Sequence, residues 1–117
     1  MLTDNVARQQ QLQAIVIRLG RELPGPLGGF NNMHKGAMRE GVLSPKFKEL
    51  MALAIAVATR CEDCISWHVH DALKAGASRA EVLETLGVAL LMGGGPALMY
   101  ACHAVEALDQ FAAGAQG

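Results

Sequence analysis

Four residues within one short stretch carry the reactive chemistry of this chain: Glu49, Cys61, Cys64 and His68. If 61 to about 76 is one helix, a rotation of about 100° per residue puts Cys61, Cys64 and His68 at 0°, about −60° and about −20°, inside a single narrow stripe. Ile65, Val69 and Ala72 continue that stripe, whereas Glu62, Asp63, Ser66, His70 and Lys74 take the other side. The thiols and His68 are therefore expected to point inward. A thiol in the first helical turn lies near unpaired backbone N–H groups and the positive end of the helix dipole, which favour thiolate over thiol. Two cysteines at this spacing can also close a disulfide once one of them is oxidised, so the pair can cycle. The attacking sulfur must lose a proton and the leaving atom must gain one, work suited to a carboxylate and an imidazole. Glu49 and His68 are the candidates for it.

The elements that must position these residues read as helices. Asp4 or Asn5 can cap a first helix to about 21, with Leu12, Ile15, Val16 and Leu19 at amphipathic spacing. Pro24-Gly25-Pro26 interrupts the chain, and a shorter helix is expected over about 27–40, ending at Gly41. Ser44-Pro45 is a start signal, with the hydroxyl as cap and proline at the first helical position, for a third helix to about 59. That helix is apolar all round from Leu50 onward and is expected to be central, with Glu49 where its charged first turn meets the buried body. The cysteine helix follows and stops at Gly76. Ser78 and Glu81 form a capping box for a fifth helix to about 92, and Pro96 begins a sixth to about 112 beyond three glycines. The tail 114–117 is expected to fray. No segment alternates long enough for a strand, so the fold class is all-α, one compact domain of about six helices over 1–117.

The composition narrows the function classes. The chain has 117 residues, enough for one core, and 51% are hydrophobic but only 4% aromatic, so alanine and aliphatic side chains must do the packing. A net charge of −1 gives no electrostatic case for nucleic acid or a membrane surface. The longest fully apolar run, 50–58, is too short to span a bilayer, and no leader pattern opens the sequence. Three cysteines, an odd number, fit a reducing compartment better than a secreted disulfide framework, so the expected location is cytoplasmic.

The pattern Glu49, Cys61, Cys64, His68 resembles the E-x(11)-C-x-x-C-x(3)-H signature of the alkylhydroperoxidase D-like proteins, within the carboxymuconolactone decarboxylase superfamily. The segment Gly93-Gly94-Gly95-Pro96-Ala97-Leu98-Met99-Tyr100-Ala101 is similar to the MGGGPxxxYA segment of small members, and the resemblance runs over roughly 43–111. It implies a helical fold assembling as a homotrimer or homohexamer, and a thiol-dependent peroxidase or disulfide oxidoreductase without a cofactor. By residue-for-residue carry-over, Cys64 attacks the peroxide and becomes a sulfenic acid, Cys61 donates a proton and closes the disulfide, and Glu49 and His68 relay protons. The reductant is expected to be a lipoyl domain, a thioredoxin-like protein or a small thiol. The sequence departs from the best-known members between the cysteines, where they carry a histidine and this chain has Asp63, after Glu62; both charges oppose thiolate formation.

Other readings start from the same residues. Cysteines are often small buried hydrophobes. Zinc could take Cys61, Cys64 and His68, with Glu49 or His70 as a fourth ligand, giving a non-catalytic metal-binding module, although zinc pairs usually sit on a tight knuckle and a second pair is missing. A lactone decarboxylase, the activity that names the superfamily, is the other alternative, and its members generally lack the paired cysteines. A thioredoxin needs a βαβ context that is absent here. The Gly93–Gly95 run lacks the residues of a phosphate loop and reads as a helix–helix turn. Cys102 and His103 are expected at the surface or an interface, and Trp67 on the polar side of the cysteine helix.

Overall fold

The computed structural model describes residues 1–116, and the side chains of residues 1–114. The all-α expectation holds: the elements are α1 (Asn5–Glu22), α2 (Pro24–Met38), α3 (Pro45–Ala58), α4 (Glu62–Lys74) and α5 (Arg79–Gln116). The five elements match the six expected helices except that the fifth and sixth follow end to end as the two arms of α5, with the expected break between them at Gly94 (φ 70°, ψ −152°). That positive φ is open to glycine and costly for other residues. Next to it, a Cβ on Gly93 would lie 2.6 Å from the Ala97 Cβ and 3.7 Å from the Ala58 Cα, so the break also allows α5 to pass close to the end of α3. The helix runs through Gln116, and residue 117 of the tail lies outside the described residues.

Sequence signals set the helix ends. Asp4 caps α1 by accepting from the Ala7 N–H, and Ser44 caps α3 by accepting from Phe47. Ser78 and Glu81 make the reciprocal capping box at the start of α5, with Ser78 N–H donating to Glu81 Oε1 at 2.9 Å and Glu81 N–H to Ser78 Oγ at 3.1 Å. Lys46 pairs with Glu81 at 2.8 Å, tying the first turn of α3 to the first turn of α5.

The helices α3, α4 and α5 pack against one another and hold the core, α1 packs on α5 and α4, and among the described residues α2 touches α1 and α3 alone. Leu53, Val57, Ile65, Val69, Val82 and Leu108 are the largest fully buried side chains. Alanines fill the rest on α5, at 97, 101, 104 and 107, which lets the helices approach closely. Two expectations change here. The α1 stripe does not reach the core, since Ile15, Val16 and Leu19 are exposed, and α2 buries nothing. Nor is α3 covered all round: Leu50, Leu53, Ala56 and Val57 are buried while Met51 and Ile55 are more than half exposed. A single chain has helices for only one side of α3. The stretch Arg79–Gly114 is long and apolar enough to cross a bilayer by length and composition. Its first arm, to the break, is only ~22 Å long against the ~30 Å of a hydrocarbon core. The second commits its alanine face to the core and carries Glu106 and Asp109.

Candidate active site

The link between α3 and α4 fixes the cysteine turn. Thr59 ends α3, Arg60 takes a left-handed conformation (φ 61°), and Cys61 turns the chain into α4. Cys61 N–H donates to Ala56 O at 3.0 Å and Arg60 N–H to Val57 O at 3.2 Å, the two bonds of a Schellman ending. The same motif ends α4, where the left-handed residue is Gly76. A non-glycine residue in this conformation costs about 1–2 kcal/mol, so the link leading into Cys61 is strained where its counterpart is relaxed.

Cys61 is thus the N-cap of α4 rather than a first-turn residue, and its Sγ accepts the Cys64 backbone N–H at 3.2 Å. The cap position directs free N–H groups of α4 at this sulfur. Cys61 and Cys64 form a disulfide, with Cα atoms 5.2 Å apart. The inward orientation expected for both sulfurs is corrected: Cys64 is exposed and Cys61 half-buried, because the turn lies at the end of the core and only the residues from Ile65 onward point into it. Ser66, placed by its helical angle on the polar side, is buried.

Glu49 and His68 are brought together across α3 and α4. Glu49 is 7% exposed, and its Oε2 accepts from His68 Nδ1 at 2.8 Å. An ionised carboxylate only accepts, so Nδ1 carries the hydrogen and Nε2 of the neutral ring is left as the base. Among the described residues no lysine or arginine pairs with Glu49. His68 follows Cys64 by one turn, about 6 Å along the axis, and helical side chains lean toward the N-terminus, so the imidazole leans toward the cysteine turn. Two surface hollows, one between α1, α4 and the end of α5 and one between α3 and α5, touch none of these four residues. The disulfide is approached from solvent at Cys64.

The zinc set considered above is not the one that clusters. Donor atoms of Glu49, His68 and Asp71 lie within 4.8 Å of one another, a group that includes neither sulfur and in which Asp71 replaces His70. His70 instead lies 3.0 Å from Asp71 Oδ1 and meets the Phe111 ring edge-on. Sequence reasoning missed Asp71, although it follows His68 by three residues, a spacing that puts both on one face. Cys102 is exposed and free, and His103 Nδ1 lies 3.7 Å from Glu62 Oε1. Trp67 is half-buried.

Sequence reasoning also missed the N-terminal segment, which straps across this region ahead of α1. The Leu2 and Thr3 N–H groups donate to Glu106 at 2.6 and 2.7 Å, and the Asn5 N–H to Gln110 at 2.8 Å. The Leu2 N–H bond, joined by that of Thr3 and only partly opposed by desolvation, holds the Glu106 carboxyl below the usual carboxylate range. Thr3 Oγ1 reaches Glu62 at 3.3 Å, and Arg8 pairs with Asp63 at 2.7 Å. No local pattern marks contacts between residues a hundred positions apart.

Residues 24–107 match the model of the carboxymuconolactone decarboxylase family. The chain belongs to that family. It is 40% identical over 107 residues to an uncharacterized protein of Haemophilus influenzae, covering 92% of this chain and 95% of that one. An uncharacterized protein of Cupriavidus necator is 36% identical over 109 residues, with 93% and 96% covered. The crystal structure of a carboxymuconolactone decarboxylase family protein from Legionella pneumophila superposes with a TM-score of 0.88 at 40% identity, covering 93% of this chain and 98% of that one. A family member from Thermotoga maritima gives 0.72 at 34% identity, over 76% and 92%. The family match begins after α1, so the strap and Arg8 lie outside it.

Proposed function

We propose that this family member is a thiol-dependent peroxidase or disulfide oxidoreductase of the alkylhydroperoxidase D-like type, acting in antioxidant defence in the cytoplasm. The observation that carries the reading is the arrangement on α4: a disulfide-bonded cysteine pair one turn before a histidine that is hydrogen-bonded to a buried glutamate. An antioxidative role has also been suggested for the Thermotoga maritima relative.

In the reduced protein, the Cys64 thiolate, exposed to solvent, attacks the distal oxygen of a hydroperoxide. The O–O bond breaks, the sulfur becomes a sulfenic acid, and the departing alkoxide takes a proton and leaves as the alcohol. Cys61 then attacks the Cys64 sulfur, expelling hydroxide that leaves as water, and the disulfide closes. His68 Nε2 is the relay atom for the protons, held in that tautomer by Glu49. Two electrons from an external thiol return the pair to the dithiol; a lipoyl group, a thioredoxin-like protein or a small thiol has the required chemistry. A lactone decarboxylase has no use for this disulfide. The exposed apolar side chains of α3 and α5, among them Ile55, Leu91 and Met92, support assembly as a homotrimer or homohexamer.

The test is mass spectrometry of the reduced protein, alkylated either without peroxide or after reaction with one equivalent of peroxide. The expected result is loss of two alkylation sites and a peptide linked through Cys61 and Cys64. If both cysteines remain alkylatable while peroxide persists, the reading is wrong. The Glu49, His68 and Asp71 cluster supports a metal-binding reading, separated by measuring metal content after purification without chelator: stoichiometric metal favours it, metal-free active protein removes it.

A further inference from the structure

The two residues between the cysteines carry the charges that oppose thiolate formation, yet neither stands unaccompanied. Asp63 receives Arg8 of α1 on both oxygens, Nε to Oδ1 at 2.7 Å and one terminal nitrogen to Oδ2 at 3.4 Å. Glu62 is met by Thr3 from the strap and by His103 from α5. Arg60 lies in the link that precedes the turn, the Glu49–His68 pair is reached one helical turn beyond Cys64, and Glu106 of α5 interacts with His103 and holds the strap that carries Thr3.

We infer that Arg8 is a positioning residue for the redox turn: delivered by the N-terminal strap, it neutralises Asp63 and so allows the neighbouring thiols to ionise. The inference deepens the dithiol reading and rests on it for the role of the sulfurs. Three observations bear on it. The bidentate fork fixes the Asp63 carboxylate in direction as well as charge, which a lysine would not do. Asp63 in turn holds the Arg8 guanidinium further toward its charged form, through the hydrogen bond first and the charge second. The strap that sets the start of α1 is itself anchored on Glu106 and Gln110 of α5, so the backbone at Arg8 is brought to the cysteine turn by contacts that do not involve the turn, while the guanidinium itself is directed by Asp63.

Stability does not explain the pair. Both partners are more than one-third exposed, and exposed ion pairs contribute little to folding. Charge does, because a carboxylate next to Cys64 in sequence acts on the sulfurs at short range and a guanidinium in contact with it offsets that effect.

The experiment follows iodoacetamide alkylation of Cys64, resolved from the exposed Cys102 by peptide mass spectrometry, in the fully reduced protein against pH from 6 to 10, for the wild type, Arg8→Ala, Asp63→Asn, the double variant and Arg8→Lys. Arg8→Ala is expected to slow alkylation at pH 7 by roughly threefold and move the profile to higher pH, the size of an uncovered charge near the surface. Asp63→Asn moves it the other way, the double variant follows Asp63→Asn, and Arg8→Lys lies between wild type and Arg8→Ala. Raising the salt to about 1 M shrinks the Arg8→Ala effect. An Arg8→Ala profile superimposable on wild type overturns the inference. So does an Arg8→Ala slowing that is equally large with and without the Asp63→Asn substitution, since Arg8 would then not act through Asp63. Alkylation needs no peroxide, so failure of the peroxidase reading and failure of this one give different results.

Discussion

Replacing Glu49 by glutamine separates a chemical role for the Glu49–His68 pair from a structural one. The side chain keeps its shape, and the amide oxygen can still accept from His68 Nδ1, now 2.8 Å from Oε2. What it loses is the negative charge that favours a proton on the ring as Nε2 takes one up. A hydrogen bond to a charged group contributes about 1.5–3 kcal/mol and one between neutral groups about 1, so the imidazolium form loses about 1–2 kcal/mol. Solvent screening reduces this little, because the carboxylate side chain is 9% exposed and the imidazole 20%. At about 1.4 kcal/mol per tenfold, the loss is about 5- to 30-fold in the relayed step, rising toward 10²-fold if the pair acts as a full general base. The assay is stopped-flow peroxide consumption together with iodoacetamide alkylation of reduced protein from pH 6 to 10 and thermal unfolding. The expected pattern is slower turnover and slower alkylation at neutral pH, both recovering at high pH, with the fold retained. A lowered melting temperature with superimposable alkylation curves would refute the reasoning and leave Glu49 a structural residue.

Cys61→Ser should leave a sulfenic acid on Cys64 that dimedone traps after peroxide, because the sulfur that closes the disulfide is gone; a sulfenic acid trapped on Cys61 in the reciprocal Cys64→Ser protein would exchange the two roles. Arg60→Gly should raise stability by about 1 kcal/mol in denaturant unfolding by relieving the left-handed backbone of the link (φ 61°), and a loss of stability would show that Arg60 makes compensating contacts. Because Glu106 has a lowered carboxyl pKa in the fold, its contribution to holding the strap is complete above its ordinary value of 4.5 and is lost as pH falls through the folded value below that. Hydrogen exchange at Leu2 and Thr3 should therefore accelerate relative to unfolded controls below about pH 4.5, and Glu106→Gln should remove that pH dependence.

Local chemistry determined much of this protein before any packing was known. Asp4, Ser44-Pro45 and the Ser78–Glu81 box each placed a helix start, because a cap is made between residues three positions apart. The cysteine pair and His68 were legible as a group for a similar reason: Cys61 caps α4, and Cys64 and His68 follow on it at spacings of about one turn. Glu49 and His68 belong to consecutive helices that pack together across a short link, which brings them within hydrogen-bond distance.

Tertiary structure decided what faces what. Helical angle alone turned Cys64 inward, but it lies at the end of α4, beyond the core that buries Ile65, Val69 and Ala72. The amphipathic α1 and the all-apolar α3 predicted burial that one chain cannot supply, since burial depends on how many neighbours an element has and not on its own pattern. The glycine segment reads as a boundary between two helices, and the break is there, at Gly94; only packing decides that the two arms stay end to end and that Gly93 passes close to Ala97 and Ala58. The clamp on the cysteine turn is the extreme case: Arg8 meets Asp63, and Leu2 and Thr3 meet Glu106, across 55 and about a hundred residues. A charge pair carries no periodicity and no local signature, so its partner is specified only when the helices have been stacked.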